Sequence, residues 1–229
     1  MKTQITYVSH HDGSINQMGA LERSFVGYSG WEYESKSGIT PRTLKKYPER
    51  NIPMIEQSRL LNFKRENINR YETKLSCVLN HVMFWRRVVE ADEPMAFLEH
   101  DALCCGDWKD YDFDEYLILN AESVFRPPNK LAIQRLKGYK WTGKGVNNLP
   151  DDYPLQYHRE NAWHGYNMAP GTGAYAITPK GAKRLLTVAE KNLDQSDFIV
   201  NSHNVNIQYI MPAVMKFQNV NLSLSYGIN

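Results

Sequence analysis

The segment Met95–Cys105, "MAFLEHDALCC", joins an apolar run directly to two carboxylates, Glu99 and Asp101. An unbroken apolar run of this length is typical of a strand that is buried on both faces of an α/β sheet. Because side chains alternate along a strand, Glu99 and Asp101 are predicted to share one face, with His100 on the other. Other acidic pairs with this spacing lack such an apolar run before them. We therefore predict that a buried strand delivers these two carboxylates to the edge of a sheet.

The flanking segments alternate between helix and strand patterns. Apolar residues recur at helical spacing across residues 71–91 and around residues 18–25, and Thr178 followed by Pro179 is typical of a helix start. The Gly-, Pro- and Lys-containing segment 33–53 is predicted as loop with at most short elements. Strands are further predicted at residues 5–9, 114–120 and 172–178, and a strand or short helix before Pro212. This alternation favours an α/β fold with an open sheet, whose ligands collect at the carboxyl ends of the strands.

Composition limits the class of protein. The chain has 229 residues, 42% hydrophobic and 12% aromatic, which is ample for a packed core, and we predict a single domain over residues 1–229. It contains no apolar stretch of transmembrane length, and its N-terminus does not resemble a signal peptide. Three cysteines, of which Cys104 and Cys105 are adjacent, do not form a disulfide framework. We therefore expect no transmembrane segment and a cytoplasmic location; the oligomeric state stays open.

Positive charge is concentrated in one segment. The net charge is +2, yet residues 123–150 contain no Asp or Glu and six Lys or Arg residues. Such a segment is either a solvated basic loop or a contact for a polyanionic partner. The residues predicted to contact the phosphates of such a partner are Arg135, Lys137, Lys140, Lys144 and, by stacking, Trp141.

Two carboxylates at a crevice suit a hard divalent cation such as Mn²⁺ or Mg²⁺, which prefers oxygen ligands. Asp101 is the first candidate ligand and Glu99 the second. The structural alternative is that both carboxylates form caps or salt bridges at the end of the strand.

Three blocks resemble glycosyltransferase family 25, whose members include lipopolysaccharide-type and collagen-type sugar transferases. "SCVLNHVMFWRRVVEADEPMAFLEHDA" (76–102) is similar to the family's Gly-Cys-x-x-Ser-His helix and Leu-Glu-Asp-Asp-Ala strand. "YDFDEYLILN" (111–120) and "GTGAYAITPKGAKRLL" (171–186) follow in the family's order. The chain differs at Ser76, Asn80 and His100, and "VSHHDGS" replaces the N-terminal Asn-Leu-Asp-Arg block.

The resemblance implies a GT-A-like domain with a Rossmann-like, mostly parallel sheet flanked by helices. Residues 1–120 would mainly bind a divalent metal and a nucleotide sugar, most commonly a UDP-sugar, and residues 121–229 would mainly bind the acceptor and supply the base. His203 and His164 are candidates for a further metal ligand, because enzymes of this fold often use a late histidine.

The resemblance also implies an inverting reaction in which a carboxylate acts as general base. Asp197 is the first candidate and Asp194 the second, although either could instead cap a helix. Residues expected near the donor are His81, Gly171, Thr172, Gly173 and Tyr175. His81 could equally be a core histidine, and the glycines could simply form a turn.

The acceptor is less well defined. The basic segment favours a hydroxymethylated base in phage-type DNA, with lipopolysaccharide or another saccharide as the alternative. Two other functions stay open: a metal-dependent phosphoesterase that uses residues 9–12 together with the acidic pair, and a non-catalytic nucleotide-sugar binding module.

Overall fold

The main structural feature is a seven-stranded sheet. The computed structural model describes residues 1–56, 58–121, 143–149 and 171–218. The strands of the sheet are β1 (Lys2–Tyr7), β2 (Glu32–Ser37), β3 (Met95–Glu99), β5 (Tyr116–Ile118), β6 (Gly145–Asn148), β7 (Ala174–Ile177) and β8 (Ile207–Met211). A separate antiparallel pair is formed by β4 (Ala102–Cys104) and β9 (Met215–Phe217).

The strand order in the sheet is β2-β1-β3-β7-β5-β8-β6. Strands β2, β1, β3, β5 and β8 run in one direction, whereas β7 and β6 run in the opposite direction. The predicted α/β class with a mostly parallel sheet is therefore confirmed. The sheet contains strands from both parts of the chain, residues 1–120 and residues 121–229, and β5 from the first part lies between β7 and β8 from the second.

Helices cover both faces of the sheet. They are α1 (Asp12–Ser24), α2 (Arg59–Glu66), α3 (Ile68–Ala91), α4 (Pro179–Ala189) and the short α5 (Ser196–Ile199), with two 3-10 turns at Leu44–Lys46 and Pro48–Asn51. One apolar cluster joins α2, α3 and α4 to side chains such as Phe97 and Tyr175, and a second joins α1 to side chains such as Ile5 and Leu98. The alternation along each strand thus supplies two cores, one for each face.

The helices with clear sequence signals form as predicted. Asn67 caps α3 by accepting from the backbone N–H of Arg70, and the helix ends before Asp92 in a left-handed conformation. Thr178 caps α4 by accepting from Gly181 N, with Pro179 in the first turn, as expected. Within the described residues, no helix is both long enough and apolar enough to cross a bilayer.

The strand β2 was not predicted, since residues 33–53 were expected to be loop with short elements. Its sequence, "EYESKS", is polar throughout and mostly exposed, so no alternation marks it. It is ordered by parallel pairing with β1 at the edge of the sheet, from Lys2↔Glu32 to Tyr7↔Ser37. Backbone pairing therefore defines this strand, and polar side chains protect the exposed edge.

The carboxyl ends of β1 and β3 are neighbours, with Thr6 opposite Glu99, and an open α/β sheet is expected to have its ligand crevice at such a place. From β1 the chain continues through α1 to β2 on one side, whereas from β3 it continues towards strands on the other side. Adjacent strands whose connections diverge in this way form the switch point at which open α/β sheets bind ligands.

Candidate active site

The carboxylate pair lies at this crevice, but not on one extended strand as predicted. Strand β3 ends at Glu99, and His100 and Asp101 form a turn that leads into β4. Alternation from Met95 through Phe97 places Glu99 on the α3 face of the sheet. Glu99 therefore points towards the helix layer, while Asp101 approaches it from the turn.

The two carboxylates are electrostatically coupled. Burial, together with Asp101 and then Asp197, raises the pKa of Glu99 from its ordinary 4.5 to about 8, whereas Lys74 opposes this shift. Burial likewise raises the pKa of Asp101. The Glu99 side chain is nevertheless 40% exposed, so it can be reached from solution. The ionised forms of both acidic groups at the carboxyl end of β3 are therefore disfavoured in the absence of a cation.

The segment that leads into β7 lies directly against Glu99. Gly171 has φ +114, a conformation that favours glycine, and Glu99 N donates to Gly173 O at 2.7 Å. A Cβ on Gly173 would lie 2.9 Å from the Phe217 ring and 3.2 Å from Glu99 Oε2. Glycine at position 173 therefore allows the Glu99 carboxylate to approach the main chain closely.

Asp197 joins the same site through Thr172. The Thr172 hydroxyl donates to Asp197 Oδ1 at 3.1 Å and lies 2.7 Å from Ser196 Oγ. Asp197 is in the first turn of the short helix α5 and is half-buried. The structure thus brings together Glu99, Asp101, Thr172 and Asp197 from segments that are far apart in the sequence.

His81 and Tyr175 lie beneath this site and do not line it, contrary to the prediction that both bind the donor. Tyr175 is fully buried, stacks on Tyr116 at 4.7 Å, and makes a 3.0 Å hydrogen bond through its hydroxyl to His81 Nδ1. His81 is 1% exposed, and burial lowers its pKa to about 3. Since His81 is neutral, its 3.9 Å approach to Glu99 is not an ion pair.

The second candidate base, Asp194, is a helix cap. Its carboxylate is 2% exposed and accepts from the backbone N–H groups of Arg59, Leu60 and Gln195. It supplies a hydrogen-bond acceptor to the backbone N–H groups in the first turn of α2, where the Ser58 side chain makes no capping hydrogen bond. The structure therefore places the oxygens of Asp194 towards α2, as a helix cap, which was the alternative considered for this residue.

Substitution of Asp194 distinguishes these roles. Asp194→Ala is expected to destabilise the fold by about 1–2 kcal/mol because the first N–H groups of α2 lose their acceptor. Asp194→Asn retains one oxygen acceptor and should recover most of this loss, with turnover near wild type in both variants. Thermal denaturation and initial rates below the melting range test this prediction. Loss of turnover without loss of stability would contradict it.

The structure does not bring His203 to the acidic pair. Arg184 Nη2 lies 3.5 Å from His203 O, and the same guanidinium pairs with Glu115, which precedes β5. Glu115 lies at the amino end of β5, whereas Glu99 lies at the carboxyl end of β3, which runs in the same direction. The segment that contains His203 is therefore at the opposite end of the strands from Glu99. The crevice therefore receives no ligand from His203.

Several predicted residues cannot be placed. Of the basic acceptor set, Lys144 lies within the described residues and is exposed at the start of β6. The other four members of this set lie outside the described residues: Arg135, Lys137, Lys140 and Trp141. The candidate metal ligand His164 also lies outside them.

The described residues contain no ready-made group of three or more metal-ligating side chains. Nevertheless, the donor set at the crevice fits a hard cation. Asp101 Oδ1 is buried and, within the described part of the chain, has no hydrogen-bond partner. A buried carboxylate oxygen without a donor beside a second carboxylate of raised pKa is what a cation would neutralise.

The raised pKa of Glu99 predicts that the stability of the metal-free protein depends on pH. Because this pKa is higher in the folded state, the stability that protonated Glu99 contributes is fully present below about pH 4.5 and is lost as the pH rises through about 8. Glu99→Gln is expected to remove this loss, worth about 1 kcal/mol after solvent screening, or about 2–4 °C in Tm. Thermal melts from pH 5 to 9 with EDTA measure it. Glu90→Gln, on the exposed face of α3, is the control, and equal pH slopes for Glu99→Gln and wild type would contradict the assignment.

Lys74, Cys77, Trp85 and Ser196 were missed in the sequence. The first three form one stripe of α3 together with His81, and Lys74 and Cys77 interact electrostatically with Glu99. Their spacing of three, four and four residues is the signal that could have found them. Ser196 had no such signal, because its role depends on how α5 packs beside Thr172.

The fold and site define an α/β protein with a carboxylate cluster at the switch point of its sheet. The family model for glycosyltransferase family 25 (LPS biosynthesis protein) matches residues 30–200, about three quarters of the chain. The chain therefore belongs to glycosyltransferase family 25 and is a glycosyltransferase, and its sheet agrees with the GT-A-like fold expected from that resemblance.

Other comparisons gave more distant relationships. A search of curated proteins found no match. The solved structure of an active-site mutant of LgtC is 10% identical, covers 97% of this chain and 89% of that chain, and has a TM-score of 0.49. Galactosyltransferase LgtC in complex with donor and acceptor sugar analogues is 9% identical over 96% and 88% of the two chains, with a TM-score of 0.44.

Proposed function

We propose that this protein is a metal-dependent, inverting glycosyltransferase that uses a nucleoside diphosphate sugar, with UDP as the preferred nucleotide. The observation that carries the proposal is the cluster of Glu99, Asp101 and Asp197 at the carboxyl ends of β1 and β3. Family membership supplies the reaction class, and this cluster supplies the groups that the reaction needs.

Asp101 and Glu99 are the residues that would hold Mn²⁺ or Mg²⁺. When bound, such an ion stabilises the negative charge that develops on a departing diphosphate. The two carboxylates support this role, because a divalent cation would offset the burial and the repulsion from Asp101 that together raise the pKa of Glu99.

The donor would occupy the crevice between the loop after β1 and the turn after β3. Helix α1 begins at Asp12, a few residues after the carboxyl end of β1, and His11 Nδ1 caps it by accepting from Ser14 N. A helix N-terminus at this position favours a phosphate group. Gly171 and Gly173 allow the opposite wall to approach closely, as argued above for Glu99.

Asp197 would act as the general base. The acceptor hydroxyl gives its proton to the Asp197 carboxylate while its oxygen attacks the anomeric carbon. The bond from that carbon to the diphosphate oxygen breaks, and its electron pair leaves with the nucleoside diphosphate. The half-buried position of Asp197 and its hydrogen bond from Thr172 hold the carboxylate beside the acidic pair.

The acceptor that we favour is a saccharide of lipopolysaccharide type, in keeping with the description of the family. The second candidate is a hydroxymethylated base in DNA, favoured by the acid-free segment at residues 123–150 with its six basic residues. In that case, neutralising Lys137 and Lys140 should abolish a gel shift with duplex DNA, whereas no DNA binding at low salt would exclude it.

Transfer of a labelled sugar tests the function directly. The protein is incubated with labelled UDP-sugars, Mn²⁺ and either lipopolysaccharide core oligosaccharides or duplex DNA that contains hydroxymethylcytosine. The proposal predicts a labelled product whose anomeric configuration, read from proton coupling constants, is inverted relative to the donor. A retained configuration would overturn the inverting mechanism, and hydrolysis of phosphate monoesters without sugar transfer would overturn the proposed function.

A further inference from the structure

A chain of hydrogen bonds runs beneath the site from Trp85 on α3 to Asp197. Trp85 Nε1 donates to Tyr175 Oη at 3.0 Å, and Tyr175 Oη lies 3.0 Å from His81 Nδ1. On the other side of the ring, His81 Nε2 lies 3.4 Å from Thr172 Oγ1. The Thr172 hydroxyl in turn lies 3.1 Å from Asp197 Oδ1. The first four side chains are all at least nine-tenths buried.

The indole gives this chain a direction, because an indole N–H can only donate. Tyr175 Oη accepts from Trp85, and its single proton is then satisfied by donation to His81 Nδ1. A ring that accepts at Nδ1 has no proton there and carries its single proton on Nε2. That proton points to Thr172, since Glu99 Oε1 is 3.9 Å away and outside hydrogen-bond distance.

Thr172 completes the chain of hydrogen bonds. A hydroxyl accepts twice and donates once. Thr172 Oγ1 has three contacts: His81 Nε2, Ser196 Oγ and Asp197 Oδ1. If His81 and Ser196 donate to Thr172, its own proton goes to Asp197, whose ionised carboxylate can only accept. This assignment satisfies every contact of the hydroxyl.

We propose that Trp85 and Tyr175 lock His81 in the Nε2–H tautomer, and that His81 thereby makes Thr172 an obligate hydrogen-bond donor that orients the Asp197 carboxylate. Trp85, Tyr175, His81 and Thr172 are positioning residues, because each acts on the reaction through its neighbour. The consequence for catalysis rests on the proposed role of Asp197, whereas the tautomer does not depend on any substrate.

The tautomer can be measured by long-range ¹H–¹⁵N correlation on protein labelled at histidine, with the His81 signals assigned by their loss in His81→Gln. At pH 7 we expect wild-type His81 to show protonated Nε2 and unprotonated Nδ1. Tyr175→Phe keeps the ring packing but removes the proton offered to Nδ1, and the two tautomers should then be mixed. A wild-type ring that carries its proton on Nδ1 would overturn the proposal, whatever the enzymatic activity.

Thr172 provides the kinetic test. Thr172→Val keeps the shape of the side chain without the hydroxyl and is expected to lower kcat for sugar transfer by about tenfold or more, with the KM for the donor changed by less than about twofold. Thr172→Ser retains the hydroxyl and should restore most of the rate. Equal loss in both variants, or a loss confined to KM, would overturn the positioning role. Absence of transfer in wild type together with the expected tautomer would reject the proposed function and leave the hydrogen-bond chain intact.

Discussion

Replacement of Asp197 by Asn is expected to lower kcat for sugar transfer by about 10²- to 10⁴-fold. The amide is nearly the same size and can still accept the hydrogen bond from Thr172, but it cannot take a proton from the acceptor hydroxyl. Since Asp197 acts on the acceptor, the KM for the donor should change little. Steady-state rates with saturating donor, together with donor binding by calorimetry, measure the two effects separately.

The matched control is Asp194→Asn, three residues earlier, in which the carboxylate that caps α2 is replaced in the same way. It should retain nearly full turnover. If Asp197→Asn retained more than about a tenth of the wild-type rate, or if it lost donor binding and turnover together, Asp197 would not be the base.

Replacement of Asp101 by Asn is expected to weaken Mn²⁺ binding and to lower kcat/KM by about 10²-fold or more. The carboxylate lies in the turn after β3, with Oδ1 buried and without a hydrogen-bond partner among the described residues. An amide offers one neutral oxygen in place of two charged ones, and hard divalent cations bind carboxylates far better. Isothermal titration of chelator-treated protein with Mn²⁺ measures the affinity without requiring any substrate.

The control for Asp101 is Asp107→Asn, because Asp107 lies further along the same segment and accepts from Ser29 away from the crevice. Its Mn²⁺ affinity should equal that of wild type. Equal Mn²⁺ affinities for wild type and Asp101→Asn would show that the acidic pair does not hold the metal.

Local signals explain what the sequence predicted well. The apolar run before Glu99, the helical spacing across residues 71–91 and the Thr178-Pro179 start each act over a few residues, and all three elements form where expected. Cys104 packs in an apolar cluster, and the three cysteines are free thiols, in keeping with the absence of a predicted disulfide framework.

Contacts between distant segments explain what the sequence could not predict. Asp194 caps a helix that begins 135 residues earlier, and no local pattern links the two. Tyr175 could not be assigned to a ligand wall or to the core, because every residue of β7 is buried and the strand shows no alternation. The segment that contains His203 precedes β8 and therefore lies at the opposite end of the strands from Glu99, because β5 and β8 run parallel to each other and antiparallel to β7. Residue type alone therefore selected plausible groups, and topology decided which of them meet.

Release of nucleoside diphosphate from a panel of nucleotide sugars with Mn²⁺ tests whether the acidic pair after β3 supports donor cleavage. We expect release from one donor by wild type, abolished by chelator, restored by added Mn²⁺, and absent in Asp101→Asn. Release that is unaffected by chelator and equal in Asp101→Asn would contradict it. So would the absence of both release and any donor-dependent thermal shift across the panel.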